Sequence, residues 1–187
     1  MHDKNDKVIF MFWIYLMTDL IMFAVLFAVY AVLRGNTFGG PSERELLSLP
    51  GALAETLILL TSSFTCGLAM IAAYSGRVRQ TLAWLAVTFA LGVSFLTIEM
   101  NEFAHLMSEG HDWTKSASLS SFFALVGTHG LHISIGLLWI IIAITMVWSR
   151  GLTPFITSKL TRFSLFWHFL DVVWIFIFTV VYLMPHA

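Results

Sequence analysis

Apolar residues run along this chain in five long stretches, at about 8–33, 52–74, 81–107, 118–148 and 163–184. Each is long enough for a bilayer-crossing helix, which needs roughly 20 predominantly apolar residues. Short polar or Gly/Pro-containing connections separate them: "RGNTFGGPSERE", "SGRVRQ", "SEGHDWTKS" and "SRGLTPFITSKLTR". Lipid offers the backbone no hydrogen-bond partner, so each crossing segment must satisfy its own N–H and C=O groups as a helix. The expected fold is all-α: a polytopic membrane bundle of five transmembrane helices, forming one integral membrane domain over residues 1–187. The chain shows no internal repeat, low-complexity tract or long polar stretch.

Composition supports the bilayer as solvent. The chain is 58% hydrophobic and 11% charged, against roughly 25% charged in a soluble domain. A soluble fold of this size could not bury so much apolar surface. The net charge of −1 gives no footprint for nucleic acid. Cys66 is the only cysteine, which excludes an internal disulfide and a cysteine-rich metal site. The opening "MHDKNDK" leads into an apolar run that is too long for a signal-peptide core and contains Asp19, so a retained span is expected. The basic residues set the orientation. With the N-terminus cytoplasmic, Lys4, Lys7, Arg77, Arg79, Arg150, Lys159 and Arg162 lie inside, and Arg34, Arg44 and Lys115 outside. Five spans then place the C-terminal "MPHA" in the periplasm.

The candidate chemistry lies in the ionisable groups within the spans. Every Lys and Arg falls outside the five runs or at their ends, whereas Asp19, Glu55, Glu99, Glu102 and Asp171 fall inside. His129, His132 and His168 join them, with His105 near the outer end of the third span. A carboxylate facing lipid costs roughly 2.5 kcal/mol or more at the helix centre, so these groups are expected to face other helices. At 1.5 Å per residue, Glu99 and His129 lie roughly 8 Å outward of their span centres, and Glu55 and Glu102 roughly 12 Å. These four are expected to form an outer polar cluster. Asp19, His168 and Asp171 lie roughly 3 to 9 Å inward, as a second group. On the fourth span, Gly127, Gly130 and Ser134 share one stripe, where small residues let backbones approach. His129 and His132 point about 150–180° away from that stripe, so this helix has protein on two sides. Trp113 and Trp148 fall near the interfaces, as belt anchors.

The pattern gives no strong cofactor signal. A bis-histidine haem needs two imidazoles level on different helices. His132 and His168 differ by roughly 9 Å in expected depth, and His129 and His168 by roughly 16 Å. "EFAH", Glu102 to His105, is a single Glu-x-x-His, whereas a di-iron bundle needs two plus further glutamates. Copper would need Cys, Met and His together, and the nine methionines are scattered. The histidines are therefore expected to hydrogen-bond between helices, with no metal or cofactor in this chain.

Several segments, read together, resemble subunit III of the haem–copper oxidases. They are "FWIYLMTDLIMFAVLFAVYAVL", "LPGALAETLILLTSS", "GTHGLHISIG" and "LFWHFLDVVWIFIFTVVYLM", in that order from about residue 10 to 184. The chain is similar to the five-helix form found in bacterial cytochrome bo-type ubiquinol oxidases, lacking two N-terminal helices of the seven-helix form. The resemblance places Asp19 at a buried carboxylate position that is usually glutamate in cytochrome c oxidases. It places Glu102 at the buried acid of the third span, and Glu99 where the seven-helix form has an amide. His129 and His132 match the His-Gly-Leu-His motif, and His168 and Asp171 the His-Phe-x-Asp motif. It implies a non-catalytic subunit of the bacterial inner membrane. Haem and copper would lie in partner subunit I, subunits II and IV would share the complex, and phospholipid would occupy a V-shaped cleft between the first two spans and the last three. The complex would oxidise quinol, reduce oxygen to water and move protons. A stand-alone membrane cytochrome b or a di-iron quinol oxidase is the alternative from a different class.

Overall fold

The computed structural model describes residues 2–34, 49–108 and 116–184. Arg44, Trp113, Lys115 and the "PHA" end lie outside them. Among the described residues there are five long helices and no strand: α1 (His2–Leu33), α2 (Leu49–Tyr74), α3 (Val78–Ser108), α4 (Ala117–Arg150) and α5 (Pro154–Ile177). The last helix widens into a π-helical turn over Phe178–Leu183. All five are long and apolar enough to cross a membrane.

Local chemistry fixes the ends. Ser116 caps α4, its hydroxyl accepting from the Leu119 N–H at 3.1 Å. Gly151, at φ 67°, ends it in a conformation that glycine adopts without strain. Thr153 caps α5 and Pro154 sits in its first turn, where a missing N–H costs nothing. This helix therefore starts at Pro154, well before the expected 163. The hydropathy run is interrupted by Thr157, Ser158, Lys159, Thr161 and Arg162. Ile156, Leu160, Phe163 and Trp167 nevertheless form a buried stripe at helical spacing through the same stretch. Average hydropathy misses such a stripe.

The bundle does not divide into two helices against three. α1 packs on α4 and α5, α2 on α3 and α5, and α3 on α4, while α5 touches α1, α2 and α4. The expected cleft between the first two spans and the last three is replaced by surface grooves along α5. One runs between α1 and α5, and another between α4 and α5. α1 is attached by a narrow seam: Leu16, Asp19, Phe23 and Tyr30 are its buried residues.

The centre is organised around Trp167 of α5, which is fully buried. Its ring lies over two glycines. A Cβ on Gly136 of α4 would stand 2.7 Å from Trp167 Cζ3, and one on Gly92 of α3 would stand 3.0 Å from Cη2. Apolar transfer gives helices little reason to associate inside lipid, so close approach at small residues supplies the attraction through packing.

Candidate functional site

The intramembrane polar residues form three groups. At the end where α2 begins and α3 finishes, Glu55 of α2 lies beside Glu99 and Glu102 of α3, as electrostatic neighbours. Tyr182, from the π-helical turn, donates to Glu102 Oε2 at 3.3 Å. Glu99 presses against α4 where Gly130 leaves room: a Cβ there would meet its Oε2 at 2.9 Å. The small-residue stripe of α4 thus faces α3. Glu55 and Glu99 are buried, and their carboxyl oxygens meet no donor among the described residues. His129, expected with these acids, is not hydrogen-bonded to them. Its ring is fully buried among Phe23, Phe95 and Trp174, with centroids 5.3–6.4 Å away.

Asp19 does not join His168 and Asp171. It faces α4, with Oδ2 3.8 Å from His132 Nε2. His132 Nδ1 lies 2.7 Å from the Thr128 carbonyl oxygen, which only accepts, so Nδ1 carries a proton. The contact brings α1 and α4 together at the middle of both spans.

The third group runs along the α2–α5 seam. Trp174 Nε1 donates to Thr56 Oγ1 and Trp167 Nε1 to Ser62 Oγ, each at 3.1 Å. Ser63 Oγ and His168 Nδ1 are 2.6 Å apart, and His168 Nδ1 is 3.8 Å from Asp171 Oδ2. Near one end the Tyr74 and Thr161 hydroxyls meet at 2.9 Å. Serine, histidine and aspartate come together here without making a nucleophilic triad. Both neighbours approach the same ring nitrogen, whereas a triad uses opposite ones.

The corrected start of α5 revises the depth argument. His168 now falls at the middle of the Pro154–Leu183 span, level with His132 in its own. Helix face separates the two rings instead, since His132 turns to α1 and His168 to α2. Among the described residues, no three of His, Cys, Asp and Glu are placed to hold a metal ion. The sequence reading missed Thr56, Ser62, Ser63, Trp167 and Trp174. The available signal was the indole N–H, which needs a partner when the ring is buried.

This arrangement joins helices through polar ties at several depths and presents grooved faces along α5. The family model described as cytochrome c oxidase subunit III matches residues 6–185. The cytochrome bo(3) ubiquinol oxidase subunit 3 of Pseudomonas aeruginosa is 55% identical over 98% of this chain and 88% of its own. A quinol oxidase subunit 3 from Bacillus subtilis is 46% identical over 92% of this chain and 85% of its own. A cytochrome c oxidase subunit 3 from Bacillus sp. strain PS3 is 44% identical over 92% and 84%. With the family model spanning nearly its whole length, this multi-pass membrane chain belongs to the cytochrome c oxidase subunit III family.

Proposed function

We propose that this chain is the non-catalytic subunit III of a proton-pumping terminal quinol oxidase in a bacterial inner membrane. The carrying observation is its 55% identity, over nearly the whole chain, to a protein named as subunit 3 of a ubiquinol oxidase. The geometry supports a stabilising role, because carboxyl and imidazole groups make contacts between helices. In this reading subunit I holds the haem and copper and packs against this chain, and subunits II and IV complete the complex. The N-terminus is cytoplasmic, which puts Arg77, Arg79, Arg150, Lys159 and Arg162 inside. Phospholipid lies in the α4–α5 groove of about 450 Å³, with its headgroup toward Lys159 and Arg162 at the rim.

Affinity capture of the native complex tests the reading. The captured material is expected to show a haem spectrum and quinol-dependent oxygen uptake, while the purified single chain shows no Soret band and no stoichiometric iron or copper. A Soret band from the single chain would establish the stand-alone cytochrome instead. Asp19→Ala is expected to leave oxidase activity present at first but decaying faster during turnover, because the α1–α4 tie is lost. Immediate complete loss in an intact complex would assign Asp19 to a proton path.

A further inference from the structure

The groove between α1 and α5 holds about 440 Å³, within the range of small-molecule sites. Its lining is almost wholly apolar, including Trp13, Met17, Phe23, Phe27, Phe169 and Phe176. Its one ionisable lining residue is His168, whose side chain is 43% exposed at the middle of the α5 span. An imidazole open to lipid at that depth is costly and is expected to meet a partner. Ser63 and Asp171 both approach Nδ1, which leaves Nε2 for the groove.

Depth and charge narrow the occupant. The hydrocarbon core is about 30 Å thick, so a phospholipid whose headgroup stays at the interface keeps its phosphate about 15 Å from the bilayer middle. Water and ions are disfavoured there as well. The partner is therefore neutral and lipid-soluble, has a hydrogen-bonding oxygen, and carries a hydrocarbon portion to fill the rest of the groove. A prenylated quinone has each of these features. A neutral imidazole suits both its redox forms: as an N–H it donates to a quinone carbonyl, and in the other tautomer it accepts from a quinol hydroxyl. The aromatic lining offers faces and edges to the ring.

We propose that the α1–α5 groove is a quinone-binding site, with His168 Nε2 hydrogen-bonded to a ring oxygen and the prenyl chain lying along α1. This inference rests on the quinol-oxidase reading for the presence of the ligand, and it assigns no electron transfer to this chain. The site holds quinone in the bilayer beside the complex.

The test uses the full chain in phosphatidylcholine nanodiscs, labelled with a photoreactive azido-ubiquinone and mapped by peptide mass spectrometry. Labelling is expected on α1 and α5 groove residues and is expected to be displaced by ubiquinone-2. His168→Leu should weaken ubiquinone-2 competition roughly fivefold, the usual value of one neutral hydrogen bond. Val172→Trp leaves His168 in place and fills the groove at a half-exposed lining position, so it should abolish the labelling. Three outcomes overturn the site: labelling that ubiquinone-2 does not displace, equal labelling of both variants and wild type, or equal labelling by an azido fatty acid. Cross-linking of groove residues to a partner helix in the native complex would also overturn it, because the groove is then a protein interface. Because binding is read on the single chain, its failure is distinguishable from failure of the complex to co-purify.

Discussion

Gly136→Ala is expected to lower the stability of the bundle, although alanine is the better helix former by about 1 kcal/mol. The new Cβ would stand 2.7 Å from Trp167 Cζ3 and 3.0 Å from Cε3. The ring has nowhere to retreat: it is fully buried, its N–H is held by Ser62, and Gly92 lies close by on α3. Overpacking of this kind costs typically about 1–3 kcal/mol, and Gly136→Leu should reach or exceed the upper end. Gly67→Ala is the matched control, because nothing lies within 4 Å of a Cβ at that position. It should be neutral or slightly stabilising. Loss of helicity on titrating sodium dodecyl sulfate into detergent micelles of the full chain measures both. Equal midpoints for Gly136→Ala and Gly67→Ala would mean that the Trp167 contact does not hold the helices.

Trp167→Ala is the converse experiment and should have the larger effect. Truncating a buried tryptophan costs about 3–5 kcal/mol in soluble cores, part of it from the cavity left behind. The packing loss persists in a membrane bundle, because the ring fills space among α2, α3 and α4 that lipid does not reach. The substitution also removes the donor to Ser62. Trp167→Phe separates the two contributions. It keeps most of the volume and gives up one hydrogen bond, worth about 1 kcal/mol. The expected order of detergent resistance is wild type, Phe, then Ala, with the larger gap between Phe and Ala. Should Phe and Ala behave alike, the hydrogen bond rather than the ring volume joins α5 to α2.

Which polar residues would meet was only partly legible in the sequence. Three of the four residues expected in the outer cluster, Glu55, Glu99 and Glu102, come together, whereas His129 is not hydrogen-bonded to them. Depth puts Asp19, His168 and Asp171 together as well, yet Asp19 turns to α4 while His168 turns to Ser63 of α2. Depth is one coordinate. The direction in which a residue faces, and the helix opposite, are set by packing order, to which a single sequence gives little access. α5 shows the same limit in another form. Its first two turns carry enough polar residues to read as a loop, while Thr153, Pro154 and the stripe from Ile156 to Trp167 make them helix.

The sequence alone determined that the five long apolar runs are membrane helices, because in lipid such runs leave the backbone no other way to satisfy its hydrogen bonds. Most of the ionisable groups within those runs turn to protein, as the lipid penalty requires, while His168 keeps a side chain that is 43% exposed. The tertiary structure decided that α5 lies against α1, α2 and α4, that Trp167 needs the two glycines beneath it, and that His168 opens onto a groove. Those outcomes depend on which helices are neighbours. Contacts between residues distant in the chain choose the neighbours, and hydropathy is averaged along the chain rather than across it.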